Sequence, residues 1–244
     1  MNKHLFTFSN WKYYKSADEL VKSAAPFVDI IHSYHENDID INFYEQNIQL
    51  FNKNRGFGFW VWKSYFINKL LSNANTDDIF LYVDAGNTII DDISVIYELV
   101  EKNERGLILF DNTDGSSTGE NWKNINWTKS DCFNLLNLNT AEYLYGNQIN
   151  ASYIAFRKTD FTIKFFDIFA KATSHYNIVS DEPNVTNNFN TQFIDHRHDQ
   201  SVLSLLSIKY NIQIERDPSQ WGNHKMNSSS KYTQLFDHHR KSLK

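Results

Sequence analysis

Two hydrophobic patterns alternate along this chain: short, mainly apolar runs, and longer segments whose apolar positions recur at helical spacing. Residues 5–8 and 28–31 are runs of the first kind and predict strands, and the Ser16-x-x-Glu19 spacing between them predicts the start of a helix. Residues 36–40 form a polar connection, and 60–71 has helical periodicity. Residues 79–83, Ile-Phe-Leu-Tyr-Val, are a compact β-rich run ended by Asp84-Ala85-Gly86-Asn87, so a strand should deliver Asp84 to a turn. A helix over 91–101 and a buried strand over 107–110 continue the alternation, the signature of a mostly parallel sheet with helices on its faces.

Beyond that point the pattern loosens. Residues 111–127 read as a loop, with Gly115-Ser116-Ser117-Thr118-Gly119 its most flexible segment. Thr128 with Asp131 offers a second capping box, 153–156 a strand, 161–172 an apolar helix, 181–190 a polar loop, 201–210 a helix and 212–214 a short strand. With no internal repeat and no clear linker, the expectation is one α/β domain over 1–244, its core about 5–216 and 217–244 a polar, basic, solvated tail.

Composition narrows the function classes. Hydrophobic residues at 41% and aromatics at 16% of 244 residues supply one sizeable core. A net charge of -5 gives no overall attraction to polyanions, which argues against nucleic acid as a partner while leaving room for local positive sites. The single Cys132 excludes an intrachain disulfide framework and a Cys-based zinc cluster, and fits a reducing compartment. Residues 1–6 lack a signal-peptide apolar region and no stretch nears the roughly 20 apolar residues of a membrane span. A cytoplasmic protein is expected.

Three constellations carry candidate chemistry. Arg55-Gly56-Phe57-Gly58-Phe59-Trp60-Val61-Trp62-Lys63 combines glycines, which let backbone amides approach a ligand, with two cations able to neutralise phosphate; core packing explains its aromatics equally well. Asp84, at the carboxyl end of a buried strand, stands where open α/β sheets bind ligands and can hold a cation or a ribose hydroxyl, or simply cap its turn. Asp195-His196-Arg197-His198-Asp199-Gln200 gathers acid–base, cationic and metal-ligating groups before a helix that Asp199 is also placed to cap. No His-Glu-x-x-His pattern accompanies them, which counts against a metal hydrolase.

Taken in order, residues 55–63, Leu81-Tyr82-Val83-Asp84-Ala85-Gly86, Gln148-Ile149-Asn150-Ala151-Ser152 and His196-Arg197-His198-Asp199-Gln200-Ser201 resemble a family of GT-A-type glycosyltransferases found among bacterial surface-polysaccharide enzymes, viruses and algae. The resemblance covers about residues 5–214 and implies a Rossmann-like sheet binding a nucleoside diphosphate sugar at its carboxyl edge. It implies that Thr7, Phe8 and Ser9 line the nucleotide pocket, that Lys63 and Arg55 sit by the diphosphate, and that Arg197, His198 and Gln200 contact sugar or phosphate. Asp84 with Ala85 and Gly86 would occupy the Asp-x-Asp motif that holds Mn2+ or Mg2+ across the two phosphates.

Gly86 departs from that motif, since its position normally supplies the second metal carboxylate. The resemblance leaves His198, Asp199 or His224 as replacement ligands, or Arg55 and Lys63 as the neutralising charges. Asp199 is the candidate base for an inverting reaction; in a retaining one it would position the donor sugar. Trp122 and Trp127 are offered to the acceptor's sugar ring. Lys231, His238, His239, Arg240, Lys241 and Lys244 offer the tail to an anionic membrane carrying a lipid-linked acceptor. The implied activity is transfer of a sugar to a glycan or glycolipid during surface-polysaccharide assembly; the alternative is a non-catalytic nucleotide- or sugar-binding module that lost its metal carboxylate.

Overall fold

A computed structural model describes residues 1–112 and 122–242. The segment 115–119 and Lys244 lie outside the described residues. At its centre is a six-stranded sheet of β1 (Lys3–Phe8), β2 (Ile30–Tyr34), β3 (Ile79–Val83), β5 (Leu107–Asp111), β6 (Ile149–Arg157) and β7 (Gln213–Glu215), in the order β2-β1-β3-β6-β5-β7. β1 runs parallel to β2 and β3, β5 runs parallel to β7, and β6 is antiparallel to both of its neighbours. The mostly parallel α/β sheet expected from the alternation is present, with one strand reversed.

Both faces of the sheet are covered, so its central strands are apolar on consecutive residues. On one face Phe6, Phe80, Tyr82, Ile154 and Phe156 join the helices Val61–Asn73, Asp160–Thr173 and Asp199–Lys209 in the larger core. On the other, Leu5, Ile79, Leu81, Val83 and Ile108 pack against Tyr14–Ala24 and Ser94–Lys102. The larger core is rich in aromatics: Phe80 stacks on Phe156 at 5.3 Å between centroids, and Phe8 on Trp62 at 4.0 Å.

Several elements depart from expectation for identifiable reasons. The first helix starts at Tyr14, so Ser16 lies within it and its hydroxyl donates not to a local cap but to the Lys241 carbonyl, at 2.7 Å. Asp131 caps nothing of its own helix and instead accepts the amides of Val185 and Thr186 at 2.9 and 2.8 Å, pinning the 181–190 loop. The 153–156 strand is the second half of the nine-residue β6.

The largest correction concerns the carboxyl-terminal stretch. Residues 217–242 fold back on the domain: β8 (Phe236–Asp237) pairs with β4 (Thr88–Ile89), and Tyr232, Leu235 and Phe236 enter the second core. Its basic residues therefore do not form one free basic tail: His238 is buried, and Lys231 pairs with Glu215 at 2.6 Å. No helix among the described residues is long and apolar enough to cross a membrane.

Candidate active site

A cleft of about 500 Å³ opens along one edge of the sheet. It is lined where β1 ends in Phe8 and runs into Ser9, where β3 gives way to Asp84, Ala85 and Gly86, and where Asn112 follows the end of β5. The reversed strand β6 enters the same edge with its first residues, bringing Asn150, Ala151 and Ser152 beside Asp84. The Ser152 hydroxyl donates to Asp84 Oδ2 at 2.8 Å, and the Tyr82 hydroxyl donates to Oδ1.

The opposite wall is the glycine-rich aromatic segment. Gly56, Phe57, Gly58, Phe59 and Trp60 all have positive φ, a left-handed turn that costs roughly 1–2 kcal/mol at each non-glycine residue. The amides of residues 57–60 bond to the carbonyls of Asn54, Lys53, Arg55 and Gly56, so they are not presented to a ligand as the sequence suggested. What the turn achieves is placement. Phe59 and Trp60 stack on His198 at 5.0 and 5.3 Å, and Arg55 reaches Asp195 at 2.8 Å and Asp181 at 3.3 Å. At the end of the segment Lys63 becomes the third residue of the Val61–Asn73 helix.

Lys63 joins the 55–63 and 196–201 stretches to the sheet edge. Its side chain is 2% exposed, and its ammonium lies 2.7 Å from Asp199 Oδ2, 3.8 Å from Asp84 Oδ1 and 2.9 Å from the Ala151 carbonyl. Asp199 opens the Asp199–Lys209 helix, preceded by His198 at φ 52°. Its side chain is spent on the ion pair, not on a helix cap. Burial pushes the Asp199 carboxyl up to about 6, against the opposing pull of Lys63. Burial also drives the neighbouring imidazoles down, His198 to about 4 and His196 well below its ordinary value, so both are neutral near pH 7.

The remaining sequence candidates divide. Arg197 and Gln200 line the cleft; Gln200 is held by Gln148 at 3.1 Å, and the Arg197 guanidinium lies 4.4 Å over Trp127. Trp122 lines the cleft and stacks on Trp127 at 4.5 Å, but Trp127 is buried behind it and does not face the cleft. Thr7 is fully buried and also stands outside the lining. Sequence reasoning missed His238 and Arg240, which line the cleft beside Gly86 because the carboxyl-terminal stretch folds back over it.

The residues offered to a divalent ion do not assemble into a ligand set. His198 Nδ1 is bonded to the Val179 carbonyl at 2.7 Å, while His224 bonds to the Trp221 carbonyl and does not line the cleft. Both Asp84 oxygens already accept hydrogen bonds. Among the described residues no group of three or more His, Cys, Asp or Glu side chains comes together as a metal site. The lining does carry five cations, Lys12, Arg55, Lys63, Arg197 and Arg240, against the carboxylates Asp84 and Asp199. That local positive excess, on a chain of net charge -5, suits an anionic ligand.

No protein-family model matches the sequence, and no curated protein sequence matches it. Solved structures do. The galactosyltransferase LgtC in complex with donor and acceptor sugar analogues aligns with 98% of this chain and 87% of its own, at a TM-score of 0.53 and 12% identity. An active-site mutant of LgtC aligns over the same shares at 0.51 and 10% identity. The chain has the GT-A glycosyltransferase fold. The bifunctional glycosyltransferase WbbM shares this GT-A fold at a TM-score of 0.50 and 10% identity, over 89% of this chain and 39% of its own.

Proposed function

We propose that this chain is an enzyme that transfers a sugar from a nucleoside diphosphate sugar to a glycan or glycolipid acceptor in surface-polysaccharide assembly. The observation that carries the reading is the buried Lys63 held between Asp84 and Asp199 at the ligand-binding edge of a GT-A sheet. A protein that only needed to fold has little use for such a group, since a buried carboxylate and ammonium, Asp199 and Lys63, are costly to desolvate and gain little over apolar packing. Their position at the sheet's carboxyl edge also matches where open α/β sheets take nucleotides.

In this reading Phe8, Ser9 and the exposed Tyr13 beyond them take the nucleoside, and the cationic lining takes the diphosphate. Asp84 is fixed by Tyr82 and Ser152 and faces the donor. Asp199, ionised at neutral pH and tuned toward it by burial, accepts the acceptor hydroxyl's proton as that oxygen attacks the anomeric carbon. Trp122, backed by Trp127, is the platform for the acceptor ring.

The test is a thermal-shift panel of UDP, GDP, CDP, dTDP and CMP, followed by hydrolysis assays on the sugar nucleotides of whichever base binds. Selective stabilisation by one nucleoside diphosphate, with slow sugar release in the absence of acceptor, is expected. Tight binding without turnover on any acceptor would make the chain a binding module. No stabilisation by any nucleotide would overturn the reading.

A further inference from the structure

In an Asp-x-Asp motif the third position carries a metal carboxylate; here it is Gly86, and its space is filled by the chain itself. The Arg240 amide donates to the Gly86 carbonyl at 3.0 Å, and a Cβ at position 86 would lie only 3.0 Å from the Arg240 Cα. An aspartate at 86 would have to push this backbone aside. The covering segment is anchored on both sides: Phe236 is fully buried against Tyr153, and the Lys241 carbonyl accepts the Ser16 hydroxyl at 2.7 Å. Gly86 is therefore the residue that lets the segment lie where it does.

That segment carries a cation into the cleft. Arg240 lines it together with Asp84, with its Nε 3.3 Å from His238 Nε2 and its guanidinium 5.9 Å over the Trp221 ring. Three of the other four lining cations are already matched by carboxylates, Lys63 by Asp199 and Asp84, Arg55 by Asp181 and Asp195, and Arg197 by Asp195, and the fourth, Lys12, is exposed. Arg240 has no carboxylate in ion-pair contact among the described residues, and its neighbour His238, held neutral by burial and by Arg240 itself, neither offsets nor duplicates its charge.

We propose that Arg240 takes the part of the divalent ion: its guanidinium binds the donor's diphosphate above Gly86, so that neither donor binding nor turnover depends on a metal. The inference rests on the nucleotide-sugar reading. In the transfer the bond from the anomeric carbon to the β-phosphate oxygen breaks with its electron pair left on that oxygen, where Arg240 meets the new charge. The acceptor oxygen forms the new bond to the anomeric carbon and gives its proton to Asp199. A planar guanidinium suits the task because it holds phosphate through two parallel hydrogen bonds.

The experiment is calorimetric titration of the full chain with UDP, GDP, CDP and dTDP, once in EDTA and once in manganese, for the wild type, Arg240→Ala and Arg240→Lys. The wild type should bind one nucleoside diphosphate equally in the two buffers. Arg240→Ala should bind it roughly tenfold to a hundredfold more weakly, with the parent nucleoside little affected, and Arg240→Lys should recover part of the loss. Arg240 is exposed, so an unchanged melting temperature will show that the Ala variant is folded. Binding that vanishes in EDTA and returns with manganese would overturn the proposal alone, as would an Arg240→Ala protein that binds like the wild type. Failure of every nucleoside diphosphate in both buffers would overturn the nucleotide-sugar reading, and the proposal with it.

Discussion

Lys63 Nζ lies 2.7 Å from Asp199 Oδ2 and 3.8 Å from Asp84 Oδ1, so one buried ammonium serves two carboxylates contributed by different parts of the chain. Its charge also sits 4.8 Å over the Tyr82 ring, and Tyr82 donates to Asp84. The group is thus a single electrostatic unit, in which Asp199 is raised by burial and by Asp84 and lowered by Lys63.

Removing the cation should be costly. Lys63→Met leaves two carboxylates in the cleft wall without their counter-charge and is expected to lower unfolding stability by about 3–5 kcal/mol in urea denaturation. Asp199→Asn should cost less, because Asp84 still faces Lys63. The double variant should be more stable than the summed single losses by about 1–3 kcal/mol. Additive losses would show that the pair contributes nothing as a pair.

Catalysis by Asp199 carries a pH signature. Its carboxyl is pushed up to about 6 by burial, and the Asp84 charge adds to the upward shift. Initial rates of sugar transfer should fall as pH drops through about 6, where Asp199 gains a proton and can no longer accept one. In Asp84→Asn the residual activity should have its acid limb at lower pH, since one negative charge has gone. An acid limb that does not move, or that lies in the ordinary carboxylate range, would remove Asp199 from the proton-transfer role.

Folding stability should respond to acid through the buried histidines. His198 and His238 fall from 6.5 to about 4 by burial, and His196 falls well below 6.5. Between about pH 6.5 and 4 the unfolded chain therefore binds more protons than the native one, and stability is lost as pH falls. For His198 and His238 the shift is worth roughly 3 kcal/mol each. Asp199 works the other way, because below about 6 the native chain holds its proton more tightly than the unfolded chain does. The histidines outweigh it, so melting temperature should drop steadily from neutral pH toward 5, and His238→Gln should flatten the slope. A melting temperature that rises on acidification would contradict this balance.

The parts of this architecture legible in the sequence are those with one dominant physical signal. β1, β3 and β5 are covered on both faces and so read as mainly apolar runs. Half of β6 was hidden because Asn150 and Ser152 interrupt its apolar run, and both serve the site: Asn150 holds Asp217 at 2.8 Å and Ser152 holds Asp84. The ordered motifs indicated which stretches converge, but not their partners: no spacing encodes Arg55 with Asp195 or Lys63 with Asp199. The glycines of residues 56–58 were visible, yet their use in a left-handed turn depends on backbone angles that composition does not report. Gly86 stood out as a missing carboxylate, while its covering residue Arg240 sat in a stretch too polar to look folded.

That stretch is anchored by the buried side chains of Tyr232, Leu235 and Phe236, which makes its attachment easy to test. Phe236 is fully buried, its ring 4.8 Å from that of Tyr153, and its backbone pairs with Ile89 across β4 and β8. Truncating it to alanine removes a ring from a packed core and should cost about 3–5 kcal/mol in urea denaturation. The same change at Phe193, which is 41% exposed, should cost far less. If residues 217–242 were the solvated tail that their polarity suggests, Phe236→Ala would instead fall within about 0.5 kcal/mol of the wild type. Because β8 positions His238 and Arg240, Phe236→Ala should also weaken nucleoside diphosphate binding under conditions where the variant remains folded. Loss of stability without loss of binding would mean that the segment buttresses the second core but takes no part in the cleft.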